Sequence, residues 1–142
     1  MKKYNVLIVD DEPEARGLLA HYLENIPDCV LIGSCKNAVS AMQVISEHPV
    51  DLLLVDIHMP GLSGVELAKS IPRHIEVIFT TAHREYALEG FELMALDYLL
   101  KPISLDRFLK AIYKFITLAK SKRDSVNREL VNTHEREFIF VR

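Results

Sequence analysis

No stretch of this chain is apolar for anything near the roughly 18 residues of a membrane-spanning helix, and Met1-Lys2-Lys3-Tyr4 leads into the first apolar run with no signal-peptide core or cleavage site. These absences set the expectation of a cytoplasmic protein with no membrane partner. Cysteine is scarce, with only 2 in 142 residues. Cys29 and Cys35 bracket Val30-Leu31-Ile32, and on an extended strand they would stand about 20 Å apart, beyond the reach of a disulfide. Both read as plain buried thiols. No histidine lies near either cysteine, and the 6 histidines show no paired ligand spacing, which argues against zinc. Nor is there an excess of positive charge: a net charge of -3 gives no bulk argument for nucleic acid binding. The 5 glycines form no G-x-G-x-x-G after a strand, which argues against a dinucleotide binder.

What is present points to one soluble domain. The length of 142 residues suits a single hydrophobic core, and a composition 49% hydrophobic and 26% charged sits in the globular range. Val6-Leu7-Ile8-Val9 and Leu52-Leu53-Leu54-Val55 are unbroken aliphatic runs, which read as strands buried on both faces of a parallel sheet covered by helices. Strands are expected at 4–9, 29–34, 51–55, 76–80 and 95–100. Helices should alternate with them. The first, over 12–25, has Pro13 in its first turn and an apolar stripe of Ala15, Leu18, Leu19, Tyr22 and Ile26. Asn37 can cap the second, with Ala38, Ala41, Met42 and Ile45 inward, and Pro49 should end it near His48. Ser63 can cap a third that ends before Pro72. A fourth, over 84–93, would turn Ala87, Phe91 and Met94 inward and Glu85, Glu89 and Glu92 outward. The fifth, from Ser104 to about Ala119, carries Leu105, Phe108, Leu109, Ile112, Ile116 and Ala119 on one stripe.

Each strand that ends in a chemically useful residue sends it to one place. Ligands of open α/β sheets bind outside the carboxyl ends of the strands. Asp10 and Asp11 follow the first strand, Asp56 the third, Thr80 and Thr81 the fourth, and Lys101-Pro102 the fifth. Carboxylates gathered there repel one another, so without a cation at least one should be harder to ionise. A divalent cation would relieve that repulsion and neutralise charge on a phosphoryl group, while a lysine covers a further phosphoryl oxygen.

Four segments carry a family likeness: Val9-Asp10-Asp11-Glu12-Pro13; Asp56-Ile57-His58-Met59-Pro60-Gly61-Leu62-Ser63-Gly64; Phe79-Thr80-Thr81-Ala82; and Asp97-Tyr98-Leu99-Leu100-Lys101-Pro102. With them the chain resembles, over about residues 3–120, the receiver domain of two-component response regulators. The resemblance implies a flavodoxin-like α/β fold, a doubly wound five-stranded parallel sheet of order 2-1-3-4-5 with five helices. It implies that Asp56 is the phosphoacceptor, fed by a sensor histidine kinase, and that Asp10, Asp11, Asp56 and the backbone carbonyl of His58 hold Mg²⁺. Thr81 is then the hydroxyl that senses the phosphoryl group, Lys101 its cationic contact, Tyr98 the aromatic switch and Lys101-Pro102 a cis bond. Such a domain is a signalling module that catalyses only its own phosphorylation and dephosphorylation, to control an effector in transcription. His58 and His83, each two positions past a site residue, stand where they could influence water access.

The rival readings fit less well. A Mg²⁺-dependent phosphohydrolase with an aspartyl nucleophile would need a general acid, and a histidine stands at 58 where a common phosphatase pattern places aspartate. A receiver fold kept only for protein contacts would not need the whole acidic set. Residues 1–120 are thus expected to be the receiver. Lys120 to Glu137 is charged and Phe138-Ile139-Phe140-Val141 apolar, so 121–142 either extends the last helix or is a linker leading into an effector domain absent from the chain. We prefer the second. The run from Phe79 to Pro102 looks like receivers that precede a LytTR-type DNA-binding domain, and Glu137 to Arg142 is similar to that domain's opening strand. DNA would then be a partner only through the absent domain. Glu85, Glu89 and Glu92 opposite Arg107, Lys110 and Lys114 suggest a phosphorylation-dependent homodimer through the helix at 84–93, the fifth strand and the last helix.

Overall fold

The structure, a computed structural model, describes residues 3–84 and 95–141, with side chains as far as residue 126. A five-stranded parallel sheet has the order β2-β1-β3-β4-β5. Its strands are β1 (Tyr4–Val9), β2 (Cys29–Cys35), β3 (Leu52–Asp56), β4 (Glu76–Thr81) and β5 (Asp97–Leu100). Four helices lie among the described residues: α1 (Pro13–Leu23), α2 (Ala38–Glu47), α3 (Gly64–Ser70) and α4 (Leu105–Val141). The helix expected over 84–93, with its three inward apolar residues and outward Glu85, Glu89 and Glu92, falls outside the described residues apart from Arg84.

Alternation along the strands divides the core in two. Val6 and Ile8 of β1 and Leu52 and Leu54 of β3 join Leu19, Phe108, Ile112 and Phe115 on one face. Leu7, Val9, Leu53 and Val55 join Ala38, Ala41 and Leu67 on the other. Every one of these β1 and β3 side chains is wholly enclosed, so the aliphatic runs are buried on both faces as the sequence requires. Full burial of such side chains stabilises by about 1.5–3 kcal/mol each, and central β1 and β3 form the rigid floor from which Asp10 and Asp56 project.

The helix starts follow their caps. Pro13 opens α1, Asn37 accepts a hydrogen bond from the Ser40 amide at 2.8 Å, and Ser63 and Glu66 form a reciprocal capping box at α3. Three expected core residues are exposed instead: Leu18, Met42 and Leu105. The open sheet takes a narrower stripe from each helix than apolar spacing alone suggests. Cys29 and Cys35 are free, buried thiols, and burial, followed by Asp28 and Asp51, pushes Cys29 up to about 11.

The last helix overshoots its expected end at Ala119 and continues to Val141, so Phe138–Val141 is helical rather than extended. No glycine or proline after Pro102 interrupts it. Its continuation is also tied to the amino ends of the strands. Lys120 pairs with Asp28 at 3.0 Å and Lys122 with Glu76 at 2.6 Å. The Arg123 guanidinium donates to the Tyr4 hydroxyl and lies over its ring.

Candidate phosphoryl-transfer site

The carboxyl ends of β1, β3 and β5 bring Asp10, Asp56 and Lys101 into direct contact. Lys101 Nζ lies 2.9 Å from Asp10 Oδ2, 3.1 Å from Asp56 Oδ2 and 3.3 Å from Glu12 Oε1. Asp10 and Asp56 are buried, each with its other oxygen held by a backbone amide. Glu12 donates to Asp10 Oδ1 at 3.0 Å, and His58 donates to Asp56 Oδ1 at 3.1 Å. Arg16 adds a hydrogen bond to the Asp10 carbonyl at 2.7 Å. Both carboxylates therefore have fixed orientations.

Burial raises the Asp56 carboxyl above the usual aspartate range, opposed by Lys101, with Asp10 a smaller contribution in the same direction as burial. The sequence argument expected such a shift from repulsion; its chief cause is loss of water. Burial also works against the Lys101 ammonium, but Asp10 and Asp56 outweigh it and hold the group well above the ordinary lysine value. The two carboxylates thus favour the charged form of Lys101.

Asp10, Asp11, Glu12 and Asp56 each offer a carboxylate oxygen within 4.8 Å of the others. Asp10 Oδ2 is enclosed and accepts no hydrogen bond of good geometry among the described residues, only the ionic contact with Lys101. An all-oxygen set with one ammonium among four carboxylates fits a hard divalent cation such as Mg²⁺. Glu12 was not anticipated as a member, although its place between Asp11 and Pro13 was the available signal. His58 reaches the site through its amide.

Thr81 ends β4 fully buried, and its hydroxyl accepts from the His83 amide at 3.0 Å. Thr80 pairs with Asp56 across β3 and β4. Phe79 pairs with Tyr98, and Thr81 with Leu100. By alternation Thr81 shares a sheet face with Phe79 and Tyr98, and Thr80 the opposite one. The buried Tyr98 ring sits 5.5 Å from that of Phe79. The Lys101-Pro102 bond is cis, and the His58 and His83 rings meet edge to face at 4.9 Å.

Two backbone features hold the loop after β3. Gly61 adopts a φ of 80°, which favours glycine. Gly64 lets the start of α3 press against the Asp56 backbone: its amide donates to the Ile57 carbonyl at 3.0 Å, and a Cβ there would overlap the Asp56 carbonyl oxygen.

Residues 6–113 match the response regulator receiver domain. The sensory transduction protein LytT of Oceanobacillus iheyensis is 34% identical over 145 residues, covering 96% of this chain and 59% of the relative. The transcriptional regulatory protein BtsR of Escherichia coli K12 is 41% identical over 121 residues, covering 84% and 50%. The chain thus spans about half the length of the curated relatives it matches. Among solved structures, the response regulatory domain of mrkE from Klebsiella pneumoniae superposes with a TM-score of 0.75 at 32% identity, covering 82% of this chain and 98% of that one.

Proposed function

Because the chain belongs to the response regulator receiver domain family, we propose that Asp56 accepts a phosphoryl group from the phosphohistidine of a sensor kinase, and that the resulting shape change controls an effector in transcription. The observation that carries this reading is the contact of Lys101 with both buried carboxylates, Asp10 and Asp56, at the ends of three strands. An oxygen of Asp56 attacks phosphorus in line as the P–N bond breaks, and the leaving imidazole keeps its electron pair and takes up a proton. Lys101, already at Asp56 Oδ2, moves little to cover a phosphoryl oxygen. Asp10, Asp11, Asp56 and the His58 carbonyl would hold Mg²⁺, with Glu12 beside them. Bound there, Mg²⁺ supplies positive charge against the carboxylates and the phosphoryl oxygens. The product is an acyl phosphate, a covalent signal rather than turnover of a separate substrate.

Thr81 and Tyr98 share a sheet face, which supports them as the switch: a hydroxyl drawn toward the phosphoryl group vacates space an aromatic ring can fill. DNA contact would belong to a domain outside this sequence, and the cytoplasm is the expected compartment. Intact-mass analysis after incubation with acetyl phosphate tests the reading. One phosphoryl group should be gained with Mg²⁺ and none when a chelator is present from the start; gain independent of any divalent cation would contradict it.

His58 and His83 form a ring pair on the two loops that flank the site. Replacing either with alanine is expected to change the lifetime of the aspartyl phosphate several-fold while leaving its formation intact. Decay followed by mass or by phosphorus NMR checks this, and unchanged lifetimes in both variants would return the pair to ordinary loop packing.

A phosphorylation-dependent homodimer through the helix expected over 84–93, β5 and α4 remains part of the proposal, with a revised set of cations. Arg107 is committed to Asp97 within the chain, and Lys114 donates to the Leu96 carbonyl at 2.9 Å. Of Arg107, Lys110 and Lys114, Lys110 is the exposed cation with no ion pair or hydrogen bond among the described residues, and it is the one assigned to act across an interface. Sedimentation with beryllofluoride should show a dimer that Lys110→Glu weakens; a monomer throughout removes the interface.

A further inference from the structure

The edge strand β5 carries an ion pair that none of the phosphoryl chemistry uses. Arg107 in the first turn of α4 forks onto Asp97, with Nη2 2.7 Å from Oδ1 and Nη1 3.1 Å from Oδ2. The same pair meets both backbone polar groups of Tyr98. Its amide donates to Asp97 Oδ1 at 2.8 Å, and its carbonyl accepts from Arg107 Nη2 at 3.2 Å. Among the described residues β5 is the last strand of the sheet, with no further strand beyond it. A bidentate guanidinium fixes direction as well as distance. Both backbone polar groups of Tyr98 therefore meet one ion pair, in addition to the β4–β5 ladder, while its ring packs on Phe79.

We infer that the Asp97–Arg107 pair is a positioning latch for Tyr98, anchoring the edge strand so that a change at Thr81 is read as a movement of the ring rather than absorbed by the backbone. The inference rests on the proposed role of Tyr98 as the switch. With the strand anchored, the ring has two discrete places. Without the anchor, β5 shifts with it, and the ring samples both whether or not Asp56 is modified, so the difference between the two states shrinks. Arg107 touches none of Asp10, Asp11, Asp56 or Lys101 in the contacts described above, so its effect should separate from phosphoryl transfer itself.

Fluorotyrosine-labelled protein, with the Tyr98 signal assigned through Tyr98→Phe, gives a direct readout by fluorine NMR. Wild type is expected to show a displaced Tyr98 signal on adding Mg²⁺ and beryllofluoride. Arg107→Gln should lose at least about half of that displacement, while its phosphoryl incorporation from acetyl phosphate stays within about twofold. Asp97→Asn, which keeps an acceptor for the Tyr98 amide but not the charge, should behave alike, and the double variant no worse than either single one. Lys122→Gln, which breaks a distant surface pair, should keep the full displacement even where its melting temperature falls. Should Arg107→Gln fail to fold, Arg107→Lys keeps the charge, loses the fork and carries the same readout. A wild-type displacement preserved in Arg107→Gln, one lost equally in Lys122→Gln, or a parallel fall in phosphoryl incorporation overturns the latch. A wild type that takes up the phosphoryl group but shows no displacement overturns the Tyr98 switch and the latch with it, leaving phosphorylation at Asp56 standing.

Discussion

Lys101→Met is expected to lower the unfolding free energy by about 3 kcal/mol in the absence of divalent cations, because it leaves two buried carboxylates without their shared cation. Asp10 is 1% exposed and Asp56 5%, so water cannot take over the role. The variant should also gain more stability from Mg²⁺ than wild type gains. In wild type the ammonium competes for the same oxygens, and with that competitor gone the carboxylates hold the metal more tightly. A ligand at about 100 times its dissociation constant adds roughly 2.7 kcal/mol, and the deficit measured in Mg²⁺ should shrink by the amount the variant's gain exceeds that of wild type. Urea unfolding with and without Mg²⁺ measures both numbers. A deficit of the same size under both conditions would mean that Lys101 stabilises through packing, and that the carboxylates do not form a cation site.

Gly64→Ala should cost more still per atom added. The new methyl group would meet the Asp56 carbonyl oxygen and carbon and the Ile57 Cα, all backbone of the strand end that carries the candidate phosphoacceptor. Backbone cannot rotate aside as a side chain can. Either α3 lifts off or the end of β3 moves, at a cost of about 3 kcal/mol. Gly17 is the natural control, since a Cβ there meets nothing within 4 Å, and Gly17→Ala within a helix should be neutral to slightly stabilising. Thermal unfolding of both variants tests the comparison. Equal melting temperatures would refute the close approach of α3 to Asp56.

Particular residues explain what the sequence could and could not reveal. The sheet was legible because β1 and β3 are enclosed on both faces, and only long aliphatic side chains suit such positions. The helix starts at Pro13, Asn37 and Ser63 were legible because capping is local chemistry. Long-range partners were not. Lys120, Lys122 and Arg123 read only as part of a charged segment after the last apolar stripe, yet they bond Asp28, Glu76 and Tyr4 at the far end of the sheet. Arg107 read as an outward charge for a second copy, yet it closes on Asp97 in its own chain. Leu18, Met42 and Leu105 obey helical spacing and still face water, since spacing gives a direction on the helix but not the width of the surface it meets. At the site, Asp10, Asp11, Asp56 and Lys101 followed from strand ends alone, whereas the place of Glu12 depended on a turn whose direction one-dimensional pattern does not encode.

Reductive trapping tests the central claim at the level of a single residue. After phosphorylation by acetyl phosphate with Mg²⁺, borohydride converts an aspartyl phosphate to homoserine, and peptide mass spectrometry locates the conversion. The account predicts homoserine at position 56 in wild type and none in the corresponding peptide of Asp56→Asn. Conversion at Asp10 or Asp11 in wild type, or undiminished phosphoryl incorporation by Asp56→Asn, would contradict it.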